Sequence, residues 1–188
     1  ISRGVSKQRN HNWSNDLKPS IIISCWSKKI FDLNQKKISL ISNDDIRWKK
    51  CFIKSVSLLP NVILKQEALK LNAYECILKD EKGNITEATA SNVWIIKNKT
   101  LITTPLKSNI LSGVTRKKII DSAKLLNIEV KEKKFKETDI FNANGTFLTN
   151  SSSFIIEANK LNNKKLKINS NGVIKKLKLK IKELISNE

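Results

Sequence analysis

Lys54 stands in the run Cys51-Phe52-Ile53-Lys54-Ser55-Val56. A lysine among apolar neighbours is a candidate for partial desolvation, which disfavours the ammonium and frees the amine as a nucleophile toward an aldehyde. Arg9 and His11, separated by one residue in a polar stretch, offer a planar fork matched to a carboxylate and a second donor to the same group. An exposed basic loop of no consequence is the alternative for that pair. Further along, Gly113-Val114-Thr115 precedes an apolar-periodic segment. Free amides at such a helix start, together with the Thr115 hydroxyl, suit an anion through the helix dipole, although many helices begin this way and bind nothing. Ser151-Ser152-Ser153 follows an apolar run as a hydroxyl-rich loop, for which a polar turn is the plain reading. His11 is the only histidine, which excludes a histidine-rich metal site, and no metal is expected.

The elements that must carry these residues follow from hydrophobic periodicity. Alternation predicts a strand over 36–41. The segment 45–54, with Ile46, Trp48, Phe52 and Ile53, reads as extended. Leu58, Leu59, Val62, Ile63 and Ala68 then recur at helical spacing over 58–71, with Pro60 suited to a first turn. Lys54 is thereby expected where a strand gives way to a helix. Strands are expected over 74–78, 85–87, 93–96 and 100–103, with turns at 81–84 and 98–99. A helix is expected over 116–126 with Ile119, Ile120, Ala123 and Leu126 on one face, then a strand at 128–130, a short helix at 137–142 and a strand from Gly145 into the serine loop. The last helix places Val173, Ile174, Leu177, Ile181, Leu184 and Ile185 on one face and its lysines mostly elsewhere. Such a basic amphipathic helix can lie on an anionic membrane, but more often closes its own domain. At the start, 1–6 and 19–26 read as extended segments around a polar loop. The pattern as a whole is α+β, or mixed α/β.

Several runs resemble one family. Residues Asp45 to Ala68 resemble the Schiff-base segment of the class IV, pyridoxal-phosphate-dependent aminotransferases, most closely the D-amino-acid branch. Thr86-Glu87-Ala88-Thr89-Ala90-Ser91-Asn92-Val93-Trp94 is similar to that family's glutamate-bearing turn, Leu111-Ser112-Gly113-Val114-Thr115-Arg116 to its phosphate-binding helix start, and Arg9-Asn10-His11 to the Arg-x-His pair of the D-amino-acid branch. The resemblance implies a fold-type IV enzyme that binds pyridoxal 5'-phosphate covalently on Lys54. Glu87 would keep the pyridine nitrogen protonated, since a fixed carboxylate raises that nitrogen's pKa. Leu111, Val114, Thr115 and Ser151 would hold the ring and phosphate, and Arg9 and His11 the substrate carboxylate. It further implies transamination between D-amino acids and 2-oxo acids, of the type D-alanine plus 2-oxoglutarate to pyruvate plus D-glutamate, in a homodimer. Branched-chain L-amino-acid aminotransferases and aminodeoxychorismate lyases share the fold and are the nearest alternatives. Domain boundaries implied are 1–26 for the end of a small N-terminal domain, 27–35 for a linker and 36–188 for the large cofactor-binding domain.

Composition bounds what else the chain can be. A net charge of +19 and a pI near 9.9 favour a polyanionic partner when taken alone. The lysines are spread along the chain, however, and no RNA-recognition aromatic motif, zinc-finger spacing or glycine-rich clamp is present. Nucleic acid is therefore not expected as the main partner, and a non-catalytic basic module or a decayed remnant is the alternative from another class. Cys25, Cys51 and Cys76 form no CxxC pair and lie in apolar segments, as buried, reduced thiols of a cytoplasmic protein would. No run reaches membrane-spanning length. The chain begins at Ile1 and contains no methionine, so a start inside a longer protein is expected.

Overall fold

Apolar runs without strict alternation mark strands covered on both faces, and Val93-Trp94-Ile95-Ile96, every residue of it buried, is such a run. The computed structural model describes residues 1–9, 11–27 and 35–186. In chain order the elements are β1 (Ile38–Asp44), α1 (Leu59–Lys70), β2 (Glu75–Lys79), β3 (Ile85–Ala88), β4 (Asn92–Lys97) and β5 (Thr100–Thr103). They continue with α2 (Val114–Leu125), β6 (Val130–Glu132), α3 (Glu137–Asn142), β7 (Gly145–Asn150), β8 (Phe154–Leu161), β9 (Lys164–Lys165) and α4 (Val173–Ser186). The β4–β5 turn places Asn98 and Lys99 at φ 49° and 70°, the doubly left-handed geometry that matches strand twist in a two-residue hairpin.

The strands form one mixed sheet in the order β3-β2-β1-β8-β7-β4-β5-β6, with β9 paired to β8. β1 is parallel to both β2 and β8, whereas β7 is antiparallel to β8 and β4. Only three residues separate β3 from β4, yet five steps separate them across the sheet, so the sheet must curl. The curl brings the β3 edge back to the far side: Ile85 N–H donates to Phe135 O at 2.8 Å, and the Thr104 hydroxyl donates to Ile85 O at 2.8 Å. Inside the curl pack Leu40, Ile77, Ile85, Val93, Ile95, Leu148, Ile156 and Ala158 with Phe135 and Ile140. Outside it, α2 and α4 cover Trp94, Ile96 and Phe147 with Ile119, Ala123, Val173, Leu177 and Ile181. α1 covers Ile41, Cys76 and Leu78 with Leu64 and Ala68. The last helix thus closes its own domain, its lysines outward.

Four expectations are corrected. Residues 45–54 form no strand; the backbone turns there, with Ile53 N–H donating to Lys50 O at 2.9 Å. The apolar residues that suggested a strand are exposed, Ile46 by 56% and Phe52 by 58%, so nothing packs them into a ladder. The segments 1–6 and 19–26 make only an isolated antiparallel bridge between Ser2 and Ser20. The strand expected at 128–130 begins at Val130, and Cys25 is exposed rather than buried. Asn10 and most of the expected 27–35 linker lie outside the described residues.

Candidate active site

Glu87 lies on β3, the edge strand, yet is 5% exposed because the curl folds the edge inward. Its carboxylate accepts from an Arg47 guanidinium nitrogen, from Asn92 Nδ2 at 3.2 Å and from the Leu111 N–H at 3.1 and 3.3 Å. Burial pushes the Glu87 carboxyl above its ordinary value, and Arg47 and the Leu111 amide offset this only in part. Arg47 comes from the turn after β1. Its fork also grips Asp45, Nε to Oδ1 and Nη2 to Oδ2, both at 2.8 Å, and the Thr86 hydroxyl donates to Asp45 Oδ2 at 2.8 Å. Burial alone would raise the Asp45 carboxyl, but the Arg47 contacts and Thr86 outweigh it and hold it low. Burial likewise opposes charge on Arg47, and its two carboxylates overcome that and raise it further.

Asn92 joins Glu87 to the start of α2. Its Nδ2 donates to Leu111 O at 3.1 Å as well as to Glu87, and Gly113 packs so closely that an added Cβ would sit 2.3 Å from Asn92 Oδ1. Gly113 is the N-cap of α2, with extended backbone and no side-chain cap, so no side chain satisfies the first-turn amides that a helix leaves unpaired. Val114 is exposed there and Thr115 buried. On the other side, the Asn150 amide donates to Ser91 Oγ at 2.9 Å, and its carbonyl accepts the amides of Ser152 and Ser153. That fixes the 151–153 loop beside the start of β4, with Ser151 exposed.

Lys54 sits in the turn between Arg47 and α1 and is exposed, contrary to the expected desolvation. The turn is anchored at two points: Arg47 to Glu87, and Cys51 N–H to Asn109 Oδ1 at 3.0 Å, with Asn109 Nδ2 donating to Trp48 O at 3.0 Å. Asn109, at φ 57°, is two residues from Leu111. The Lys54 turn, Glu87, the α2 start and the serine loop are therefore linked through Arg47, Asn109, Asn92 and Ser91. Arg9 and His11 are exposed in the N-terminal segment. Sequence reading gave no role to Asp45, Arg47, Asn92 or Asn109. The Asp45-x-Arg47 spacing was the available signal for the first two, while the asparagines act through loop geometry that sequence does not display.

Residues 1–161 match the family model for amino-transferase class IV, and the chain belongs to that family. It is 38% identical over 154 residues to a D-alanine aminotransferase of Listeria innocua, covering 79% of this chain and 52% of that protein. It is 33% identical over 157 residues to the D-alanine aminotransferase of Bacillus licheniformis, covering 83% and 55%. The chain spans about half the length of the curated relatives it matches. Among solved structures, a putative 4-amino-4-deoxychorismate lyase from Legionella pneumophila superposes with TM-score 0.74 at 28% identity, covering 84% of this chain and 59% of that one. A branched-chain amino acid aminotransferase from Thermobaculum terrenum in its PLP form superposes with TM-score 0.75 at 19% identity, covering 82% and 53%. These likenesses carry the fold-type IV architecture that the resemblance implied.

Proposed function

We propose that this chain forms the cofactor-binding part of a pyridoxal-phosphate-dependent transaminase acting on D-amino acids and 2-oxo acids. The observation that carries the reading is the Glu87 carboxylate. Arg47, Asn92 and Leu111 hold this carboxylate in place, Leu111 reaching both oxygens, and a carboxylate fixed in this way suits a pyridine N–H whose proton it would stabilise. The uncapped first turn of α2 suits a phosphate, and the exposed amine of Lys54 suits an aldehyde. The residues present therefore fit the group. When bound, the cofactor supplies an aldehyde and an electron-withdrawing ring. Lys54 would hold it covalently and, once released, would take the proton from the substrate α-carbon. Arg47 would lower the cost of charge on the buried Glu87, Gly113 to Thr115 and Ser151 would orient the phosphate, Leu111 and Val114 would border the ring, and Arg9 and His11 would fix the substrate carboxylate.

The similarity to D-alanine aminotransferases supports the D-amino-acid branch over the branched-chain and lyase alternatives. We place the protein in the cytoplasm as a homodimer: Cys25, Cys51 and Cys76 are free thiols, no helix among the described residues is long and apolar enough to cross a membrane, and Phe52, Val56, Leu59 and Val62 present an exposed apolar surface. We also assign 1–26 to a small domain, 27–35 to a linker and 36–188 to the large domain; the described core begins at Ile38. The test is pyruvate formation by the gene's complete product from D-alanine and 2-oxoglutarate. Turnover of L-leucine in its place would overturn the D-amino-acid assignment.

A further inference from the structure

Outside the network just described lies another buried carboxylate. Glu75 opens β2 with its side chain 2% exposed. It accepts the Thr89 hydroxyl and, at 3.2 Å, the N–H of Cys76, and it pairs with Lys65 of α1 at 3.7 Å. Lys65 also donates to Tyr74 O and stands 4.4 Å over the Tyr74 ring. Thr89, in turn, is held at every polar group it has. Its N–H donates to Cys76 O at 3.1 Å, its carbonyl accepts from Asn61 Nδ2 at 2.7 Å, and its hydroxyl meets Glu75. Asn61 and Lys65 both belong to α1, the helix into which the Lys54 turn runs. Thr89 sits midway between Glu87 and Ser91, in a turn closed by Ala88 N–H to Ser91 O at 2.7 Å.

We propose that Glu75 is a positioning residue which, through Thr89 and Lys65, fixes the start of α1 against the 87–92 turn and so sets the Lys54 amine relative to Glu87. The inference rests on the reading of Lys54 and Glu87 above, but not on any contact that reading uses. A buried carboxylate is retained at low cost only where several donors converge on it, and two of the three here, Thr89 and Lys65, come from the two segments whose separation matters. A displacement of an ångström at a reacting group costs up to a hundredfold in rate.

The experiment follows the covalent adduct of pyridoxal 5'-phosphate with Lys54, trapped by borohydride and mapped by peptide analysis, in the complete protein. Glu75→Ala and Thr89→Val are each expected to slow adduct formation roughly ten- to hundredfold, and the double variant no further than the slower single one, because the two act as one unit. Glu75→Gln keeps an oxygen for the Thr89 hydroxyl and is expected to restore most of the rate. Additive losses, or a lower melting temperature in Glu75→Ala with an unchanged adduct rate, would overturn the positioning role alone. Wild-type protein that forms no adduct on Lys54 would overturn the functional reading and this inference with it.

Discussion

The backbone N–H of Leu111 points at the carboxylate of Glu87 and lies 3.1 Å from one oxygen and 3.3 Å from the other. A loop 24 positions downstream thereby supplies the fixed donor that a buried acid needs, while the same loop runs directly into α2. Acid and helix start cannot move independently, because Asn92 bonds to both.

That coupling makes Gly113 intolerant of a side chain. In Gly113→Ala the new methyl would meet Asn92 Oδ1 at 2.3 Å, so Asn92 must abandon Glu87 or Leu111. The expected cost is about 1–3 kcal/mol, read as a lower urea midpoint, together with weaker pyridoxal phosphate binding in a fluorescence titration.

Arg47 is 8% exposed between two carboxylates. Arg47→Met removes the cation that bridges the pair and leaves buried acids facing one another, a loss of about 3–5 kcal/mol. Arg47→Lys is expected to recover little, since an ammonium cannot bridge both acids as a planar fork does. Chemical denaturation of the two variants checks this, and equal stability of Arg47→Lys and wild type would count against it.

Stability should depend on pH through two limbs of opposite sign. The folded state raises the Glu87 carboxyl above its ordinary 4.5, so it binds a proton more tightly than the unfolded chain. The resulting stabilisation is complete below 4.5 and is lost as pH rises through the folded-state value. Asp45 is held below its ordinary 3.8, so its stabilisation is complete above 3.8 and is lost as pH falls through the folded-state value. Unfolding midpoints measured across pH should show the first slope flattened in Glu87→Gln and the second flattened in Asp45→Asn.

Lys54 is exposed, so Lys54→Ala should leave stability within about 0.5 kcal/mol of wild type while abolishing the borohydride-trapped cofactor adduct. A variant that still carries the adduct on another residue would remove Lys54 from its assigned role.

Much of the order of elements was legible because the apolar runs are long: Val93 to Ile96 and the helix at 137–142 stand where periodicity put them. β8 was missed. Its run Phe154-Ile155-Ile156-Glu157-Ala158-Asn159-Lys160-Leu161 mixes charges into the pattern and opens with Phe154 at φ 54°, yet it occupies the sheet's centre because β1 and β7 bond to it on both sides. The Lys54 segment misled in the opposite sense, since Ile46, Trp48, Phe52 and Ile53 supply strand-like apolar character on an exposed turn. Lys54 and Glu87 were proposed through family resemblance. Arg47 and Asn92, which bind Glu87, became evident only when distant segments met.

The central place of β8 also constrains how the polypeptide comes off the ribosome. β1 is made early, but its partner on one side arrives more than a hundred residues later, as the Ser42 N–H bond to Asn162, 120 positions away, makes plain. Until Leu161 has been synthesised the two halves of the sheet have no strand to join them, so closure is a late event governed by long-range pairing rather than by local propensity.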